Sequence, residues 1–260
     1  MAQAWTKAGN TGFYKLDFTR ISSARVFDTH GEILPFRSTS NNTLSVYGEY
    51  GVTNKFTLIG YLPILVANRF AESKNAAGVT LPKVDETSFG DVDLSFRYQI
   101  YDKKSISISA NLLLGLPTGN SKQENGLLTG DGEFNQMLKL AVGTGKAKWW
   151  TQAAIGFNNR TNNYSDEFRY DFEFGYKFFN DRLLAILKIN GIESLNNGTA
   201  KENSVGLYAN NVEFGGYGPE ILYYVSNKKN IGVSFRLGRS VKGRNILGGP
   251  SFSGGIFAQF

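Results

Sequence analysis

Several residue types are absent or scarce, and each absence removes a class of protein. The 260 residues contain no cysteine, six prolines and one histidine. Without cysteine the chain forms neither disulfides nor thiolate metal sites, and one histidine excludes a multi-histidine metal centre. No stretch approaches the roughly 18 consecutive apolar residues of a membrane-spanning helix, which excludes a helical membrane protein.

The charge of the chain lacks the clustering that nucleic-acid binding needs. The net charge is +6, yet no run of basic residues forms a patch. We therefore predict no nucleic-acid partner. Residues Met1 to Trp5 have neither a basic region nor an apolar core, so no secretion signal is visible. A cytosolic protein is one interpretation; the other, favoured by the rest of the chain, is an exported protein whose signal peptide is removed or not included.

What the sequence has in abundance is alternation. Residues 88–116 predict a β-hairpin, because apolar and polar side chains alternate with a period of two along both halves. The first half alternates Val92, Leu94, Phe96, Tyr98 and Ile100 with Asp91, Asp93, Ser95, Arg97 and Gln99. A soluble β-sandwich would give the same pattern over a single hairpin.

The pattern recurs along the chain and predicts twelve strands in which short turns alternate with long loops. The predicted turns are residues 51–54, 101–104, 143–147, 180–182 and 226–230. The predicted loops are residues 28–40, 67–87, 117–130, 158–165, 194–211 and 239–250. Long loops at one end and tight turns at the other are typical of outer-membrane barrels, with turns and both termini in the periplasm. The predicted fold is one all-β domain over residues 1–260, a closed up-and-down antiparallel transmembrane barrel.

The aromatic residues favour a membrane barrel over a soluble one. Residues 168–178 place six aromatic side chains on one strand face, opposite four charged ones. A soluble core has no use for that combination, whereas a lipid-facing surface does. The chain ends on Phe260, and its last strand resembles the C-terminal targeting strand of Gram-negative barrels.

The opposite strand faces predict the lining of the lumen. The predicted lumen-lining residues are Lys15, Asp17, Tyr47, Glu49, Asp91, Asp93, Arg97, Lys139, Arg169, Asp171, Glu173, Lys177 and Arg236. Their charges balance, which predicts ion pairs across the barrel rather than a funnel of one sign. Twelve strands predict a restricted passage, constricted by an infolded loop such as 67–87 or 117–130.

Catalytic and metal-binding patterns are weak. His30 lies in a predicted loop, beside Asp28, without the spacing of a known barrel lipase or protease. The segments 131–133 and 162–166 carry oxygen ligands but are too short for a calcium loop. We predict no cofactor, no metal and no enzymatic activity.

Two motifs carry a resemblance to a known family. Residues 89–98, Phe-Gly-Asp-Val-Asp-Leu-Ser-Phe-Arg-Tyr, precede Leu114-Gly-Leu-Pro-Thr-Gly119. This pair resembles the outer-membrane barrel family named for the MetA pathway of phenol degradation, although Asn120 stands where an aspartate is more usual. The resemblance implies transport of hydrophobic or aromatic small molecules.

The combined prediction is a passive channel in the outer membrane of a Gram-negative cell. Its expected partners are outer-membrane lipid and lipopolysaccharide, a small solute and other outer-membrane proteins. Two alternatives stay open: a non-conducting barrel that serves as a structural partner in a larger assembly, and a lipid-acting enzyme.

Overall fold

Alternating side chains organise most of the chain into β-strands in the computed structural model, which describes residues 3–75, 77–103, 105–122, 126–200 and 208–260. The strands are β1 Gly12–Phe27, β2 Ile33–Thr53, β3 Phe56–Phe70, β4 Ser73–Lys74, β5 Thr80–Leu81, β6 Val84–Ser88, β7 Val92–Lys103, β8 Ile106–Leu116, β9 Asn135–Lys146, β10 Trp149–Arg160, β11 Glu167–Phe178, β12 Leu183–Ser194, β13 Glu213–Tyr224, β14 Ile231–Arg244, β15 Ile246–Leu247 and β16 Ser251–Gln259. Among the residues described, no helix is long and apolar enough to cross a membrane.

The sheet closes on itself because β1 has a partner on each side. Tyr14 on β1 lies opposite Gly48 on β2 and opposite Ala258 on β16. Each of the remaining long strands pairs antiparallel with its neighbours in the barrel, and the short β6 and β15 extend the sheet at one end. The predicted closed antiparallel barrel of 12 strands is confirmed.

The two faces of the barrel wall differ as the alternation predicts. Large apolar side chains such as Leu16, Phe18 and Phe172 are exposed on the outside. Polar side chains such as Glu49, Ser107 and Ser109 are almost completely buried inside. This distribution is the opposite of that in a soluble protein, whose apolar residues are mostly buried. It is typical of a barrel with a polar interior and an apolar outer surface.

The barrel has a turn end and a loop end. The turn end carries the short connections 54–55, 147–148, 179–182 and 225–230, together with the start of β1 and the end of β16. The loop end carries the connections 28–32, 71–91, 117–134, 161–166, 195–212 and 245–250. The predicted asymmetry of the two ends is therefore present.

Two predicted loops were too long. Residues 33–40 belong to β2 and residues 239–244 to β14, where we predicted loops 28–40 and 239–250. The β1–β2 ladder continues past a bulge at Ser23 to the pair Phe27 and Ile33. The backbone hydrogen bonds of a hairpin can continue beyond the apolar outer surface of the barrel. The end of the alternation between apolar and polar residues therefore does not mark the end of the strand.

The predicted loop 67–87 is also partly strand. Residues 67–70 complete β3, and β6 pairs with β3 in the register from Val66 opposite Ser88 to Phe70 opposite Val84.

 Arg69 and Asp85 face each other in this register, and Arg69 Nε lies 2.5 Å from Asp85 Oδ1. The hairpin β4–β5 follows outside the main sheet and is largely exposed. The described residues 71–75 and 77–87 therefore build up the rim, whereas Asn68 and Phe70 on β3 line the lumen.

The seam between β13 and β14 is interrupted. A bulge follows Gly215, and the ladder skips Gly218 and Pro219, although the register is the same on both sides of the gap. Proline has no N–H to donate, which explains the missing pairs opposite Leu237 and Gly238. Gly218 and Gly238 also leave the inner face of this seam without side chains, which makes room inside the barrel.

Candidate functional site

Ion pairs cross the lumen in the half of the barrel next to the turn end. Lys15 Nζ on β1 lies 2.9 Å from Asp17 Oδ1 and 3.3 Å from Glu220 Oε1 on β13. Because β14 and β16 separate β1 from β13 in the sheet, the second contact reaches across the interior. Lys188 Nζ on β12 lies 2.5 Å from the other carboxylate oxygen of Glu220. Charges of opposite sign thus compensate one another in this half of the lumen.

Two further pairs fill the same half. Lys139 Nζ on β9 lies 2.5 Å from Asp171 Oδ2 on β11. Arg97 Nη2 on β7 lies 3.7 Å from Glu49 Oε1 on β2, and the Tyr47 hydroxyl donates a hydrogen bond to Glu49. Both Arg97 and Glu49 are 2% exposed, so this pair is screened little by water. Burying any of these charges without a partner of opposite sign would cost free energy, and the ion pairs offset that cost.

Residues 3–9, here called the N-terminal segment, occupy the lumen at the turn end. The Gln152 side-chain oxygen accepts hydrogen bonds from the backbone N–H groups of Gln3 and Ala4, and Ala4 is completely buried. Arg97 Nη1 donates to the Trp5 carbonyl at 3.0 Å. The segment also hydrogen-bonds to the side chains of Thr57, Gln99, Ser107 and Ser109. It is therefore bound by polar side chains from several strands and closes much of the lumen.

At the loop end, one arginine gathers three carboxylates. Arg160, at the end of β10, lies 2.7 Å from Glu133, 2.9 Å from Glu167 and 3.1 Å from Asp131. Its guanidinium also lies 4.5 Å from the centre of the Tyr164 ring. These contacts, here called the Arg160 cluster, connect the loop 117–134 to the loop 161–166 and to β11.

Asp91 fixes both ends of the same loop. Its carboxylate accepts hydrogen bonds from the backbone N–H of Gly119 at 2.8 Å and of Asp131 at 3.0 Å. Burial, with the nearby charge of Asp131, raises the pKa of Asp91 to about 6. Burial and the same neighbour raise the pKa of Glu133 to about 7. The loop is thus anchored by buried carboxyl groups whose charged forms are disfavoured.

Between the ion pairs and the loop 117–134 lies a cavity of about 270 Å³, here called the upper cavity. The loop folds inward over it: Leu127 and Leu128 are buried, and Asn68 Nδ2 donates to the Leu128 carbonyl at 2.5 Å. Tyr208, from the loop 195–212, lines the cavity as well, and burial raises its pKa. Of the two loops predicted to constrict the lumen, the loop 117–130 contributes Leu127 and Leu128 to the wall of the cavity.

The predicted lumen residues take several different positions. All except Asp91 lie on barrel strands, on the same strand face as the buried side chains. Asp91 lies in the loop that precedes β7. The contacts bring together Lys15 with Asp17, Tyr47 with Glu49 and Arg97, Lys139 with Asp171, and Glu173 with Trp150 Nε1 at 2.8 Å. Arg169 pairs with Glu167 at 2.6 Å. Lys177 and Arg236 stand apart from these groups.

Sequence reasoning missed the N-terminal segment, the Arg160 cluster and Tyr208. Residues 3–9 have no strand pattern, and their binding depends on side chains from distant strands. Arg160 fell within a predicted loop, 158–165, whereas β10 continues through it. The segment 131–133, considered for calcium, instead binds Arg160, and the described residues contain no group of side chains suited to a metal ion. A signal was nevertheless present, since three acidic residues and one arginine flank consecutive strands.

His30 is an exposed loop residue. Its Nδ1 atom lies 3.5 Å from Asp28 and 3.3 Å from the Thr29 hydroxyl. A catalytic relay needs one ring nitrogen toward the carboxylate and the other toward the nucleophile, but both of these contacts involve the same nitrogen. Hydrogen bonds from the backbone of Glu32 and His30 hold the pKa of Asp28 below its usual value. The arrangement is that of a polar turn.

Comparison with solved structures defines the class of protein. A structure described as the COG4313 outer membrane channel from Pseudomonas putida F1 aligns with a TM-score of 0.73 at 14% identity, covering 100% of this chain and 99% of that one. The KdgM porin aligns with a TM-score of 0.53 at 9% identity, covering 95% of this chain and 99% of that one. At these identities the likeness concerns the fold, which is that of outer-membrane β-barrels.

Comparison of sequences identifies the family. Residues 23–254 match the family described as "Putative MetA-pathway of phenol degradation". The match covers most of the chain, so the chain belongs to this family, as the motifs around residues 89–98 and 114–119 predicted. No curated protein matches the chain.

Proposed function

We propose that the protein is an outer-membrane channel for passive passage of a small hydrophobic or aromatic solute. The observation that carries this proposal is the upper cavity, a partly open space of about 270 Å³ in a closed barrel. Its size approaches the low end of small-molecule sites, roughly 300 Å³. The family membership and the fold shared with a protein described as a channel support the same conclusion.

The proposed path runs from the loop end to the turn end. A solute would enter beside the loops, rest in the upper cavity, and leave past the ion pairs and the N-terminal segment. We place the turn end in the periplasm and the exposed aromatic belt in contact with lipid and lipopolysaccharide. The predicted lumen-lining residues are the proposed walls of this path. Because the N-terminal segment occupies the exit, it has to move for passage.

Removal of the N-terminal segment tests the channel. We expect deletion of residues 3–8 to raise single-channel conductance in planar bilayers severalfold, because it empties the lumen at the turn end. The matched control deletes residues 73–81, an exposed hairpin outside the main sheet. Neither the deletion nor the control should alter migration of the folded barrel on a gel. Absence of conductance and of solute uptake in both the wild type and the deletion variant would contradict the proposal that the protein is a channel.

A non-conducting structural partner in a larger outer-membrane assembly is the second candidate. The observation that favours it is the lumen itself, where ion pairs and the N-terminal segment fill the turn end. This candidate requires partner proteins that co-purify from solubilised membranes. A barrel that purifies alone and conducts would rule it out.

We propose no catalytic role. The chain has a single histidine, which lies exposed on a polar turn with both contacts at one ring nitrogen. A lipid-acting enzyme built on His30 would lose hydrolysis in the variant His30→Ala, so equal hydrolysis by the variant and the wild type excludes this role.

A further inference from the structure

Arg236 is an inward-facing cation of the upper cavity; Arg239 also lines the cavity but is exposed, on the outward-facing side of β14. Arg236 lies on β14, half-buried, and lines the cavity. The hydrogen bond of its side chain runs from Nη2 to the Ser253 hydroxyl at 3.2 Å. Among the residues that the structure describes, no carboxylate oxygen lies within 4.0 Å of its guanidinium. A guanidinium has five N–H donors, so most of its donors remain for other acceptors.

The other inward-facing arginines behave differently. Arg97 pairs with Glu49, Arg169 with Glu167, and Arg160 with three carboxylates. Lys188 also lines the upper cavity, but Glu220 neutralises it at 2.5 Å. Arg236 therefore adds a positive charge to the inner wall of the cavity, whereas the charge of Lys188 is compensated by Glu220.

The rest of the cavity is apolar over one part and polar over another. Phe70, Leu127, Leu128 and Phe214 supply apolar surface, with Leu127 and Leu128 buried under the loop 117–134. Asn190 supplies a neutral amide that also lines the cavity. A ligand complementary to this surface has an apolar body and one compact negative charge.

The chemistry of arginine narrows the class of anion. A guanidinium binds a carboxylate through two parallel hydrogen bonds, and such charge-assisted bonds are stronger than those between neutral groups. Glu220 lies opposite Arg236 in the β13–β14 register, but its carboxylate contacts Lys15 and Lys188. A partly desolvated cation with no carboxylate in contact is unfavourable, and an arriving carboxylate relieves that cost. A volume of about 270 Å³ limits the body to one small ring or a short branched chain.

We propose that the upper cavity binds small organic monoanions, each an apolar ring or branched chain with one carboxylate, and that Arg236 binds the carboxylate. This inference rests on the proposed function, because it specifies the solute class of the same channel. It predicts that a carboxylate is preferred to a neutral molecule of the same shape.

Binding of two matched probes to the full barrel in detergent tests the proposal. Benzoate and benzyl alcohol have similar shapes and differ in charge, and calorimetry measures the affinity of each. We expect benzoate to bind the wild type at least about tenfold more tightly than benzyl alcohol, since a hydrogen bond to a charged group contributes about 1.5–3 kcal/mol. Arg236→Gln should lower benzoate affinity about tenfold and leave benzyl alcohol unchanged, whereas Arg236→Lys should retain part of the preference.

The control variant is Arg20→Gln, which removes one positive charge from the exposed side of β1. It should bind benzoate as the wild type does, and heat-modifiable migration should show that all variants are folded. Equal affinity for the two probes, or unchanged benzoate affinity in Arg236→Gln, overturns the proposal. Failure of the channel gives a different result: benzoate binds through Arg236, but neither the wild type nor the deletion of residues 3–8 conducts.

Discussion

At the scale of single residues, the loop end depends on buried carboxyl groups. Asp131, Glu133 and Glu167 surround Arg160, and Asp91 accepts hydrogen bonds from two backbone N–H groups of the loop 117–134. A single cation balances several acids, so protonation of one acid is compatible with the fold. Burial and repulsion explain why the pKa values of Asp91 and Glu133 are raised.

The raised pKa of Glu133 predicts a pH dependence of stability. A folded-state pKa above the unfolded value means that the folded protein binds more protons between the two values. The contribution of Glu133 to the free energy of unfolding therefore falls as pH rises from 4.5 to about 7. We expect Glu133→Gln to reduce this slope, measured by denaturant unfolding at several pH values. An identical slope in the variant and the wild type would contradict the raised pKa; Asp166→Asn is a suitable control, because its pKa is lowered.

At the scale of elements, the β13–β14 seam has an interrupted hydrogen-bonded ladder. Pro219 withholds one N–H from the ladder, and the bulge after Gly215 lies three to four residues away along β13. Arg236 immediately precedes the gap on β14, so the seam forms the wall of the upper cavity beside Arg236. The irregular pairing and the empty space thus have a common origin in glycine and proline.

Replacement of the proline should strengthen this seam. We expect Pro219→Ala to restore a donor toward the Leu237 carbonyl and to raise the free energy of unfolding by about 0.5–1.5 kcal/mol. Hydrogen exchange at neighbouring amides of β14 should slow. The control Pro250→Ala changes an exposed loop proline and should bring no such gain. Faster exchange at the seam in Pro219→Ala would show that the proline does not limit pairing.

The strands themselves could be predicted from sequence, because polar and apolar residues alternate locally according to whether the side chain faces the lumen or the outside. The end of β1 at Phe27 matches the predicted start of a loop at residue 28. Of the two loops proposed as a constriction, 117–130 contributes buried Leu127 and Leu128 to the cavity. Strand ends above the belt could not be predicted, since residues 33–40 pair through backbone hydrogen bonds that require no alternation. Contacts across the lumen, such as Lys15 with Glu220, depend on the final order and register of strands far apart in the chain.

At the scale of the whole molecule, the hydrogen-bonded wall has no free edge among the long strands. Closure pairs β1 with both β2 and β16, and backbone hydrogen bonds join Gly12 to Phe260 in both directions. A closed barrel satisfies its backbone groups within the wall, which permits an apolar outer surface. Unfolding is then expected to require the wall to open along its length.

Closure predicts heat-modifiable behaviour. In detergent the unheated protein should migrate faster on a gel than the boiled protein, because the closed barrel is compact and resists detergent. The measurement compares the two bands by semi-native electrophoresis. A protein that dissolves without detergent, or that migrates identically before and after boiling, would contradict the membrane-barrel interpretation.

The N-terminal segment is covalently attached to the barrel whose lumen it fills. Asn10 and Thr11 connect it to β1. Hydrogen bonds from Gly9 to Asn54 and from Asn10 to Gly51 hold this junction at the rim. A binding group on a short linker has an effective concentration in the millimolar range, independent of protein concentration. Departure of the segment is therefore followed by rapid return. In the proposed channel the segment would act as an intramolecular competitor for the lumen, and each open period would end without the help of another molecule.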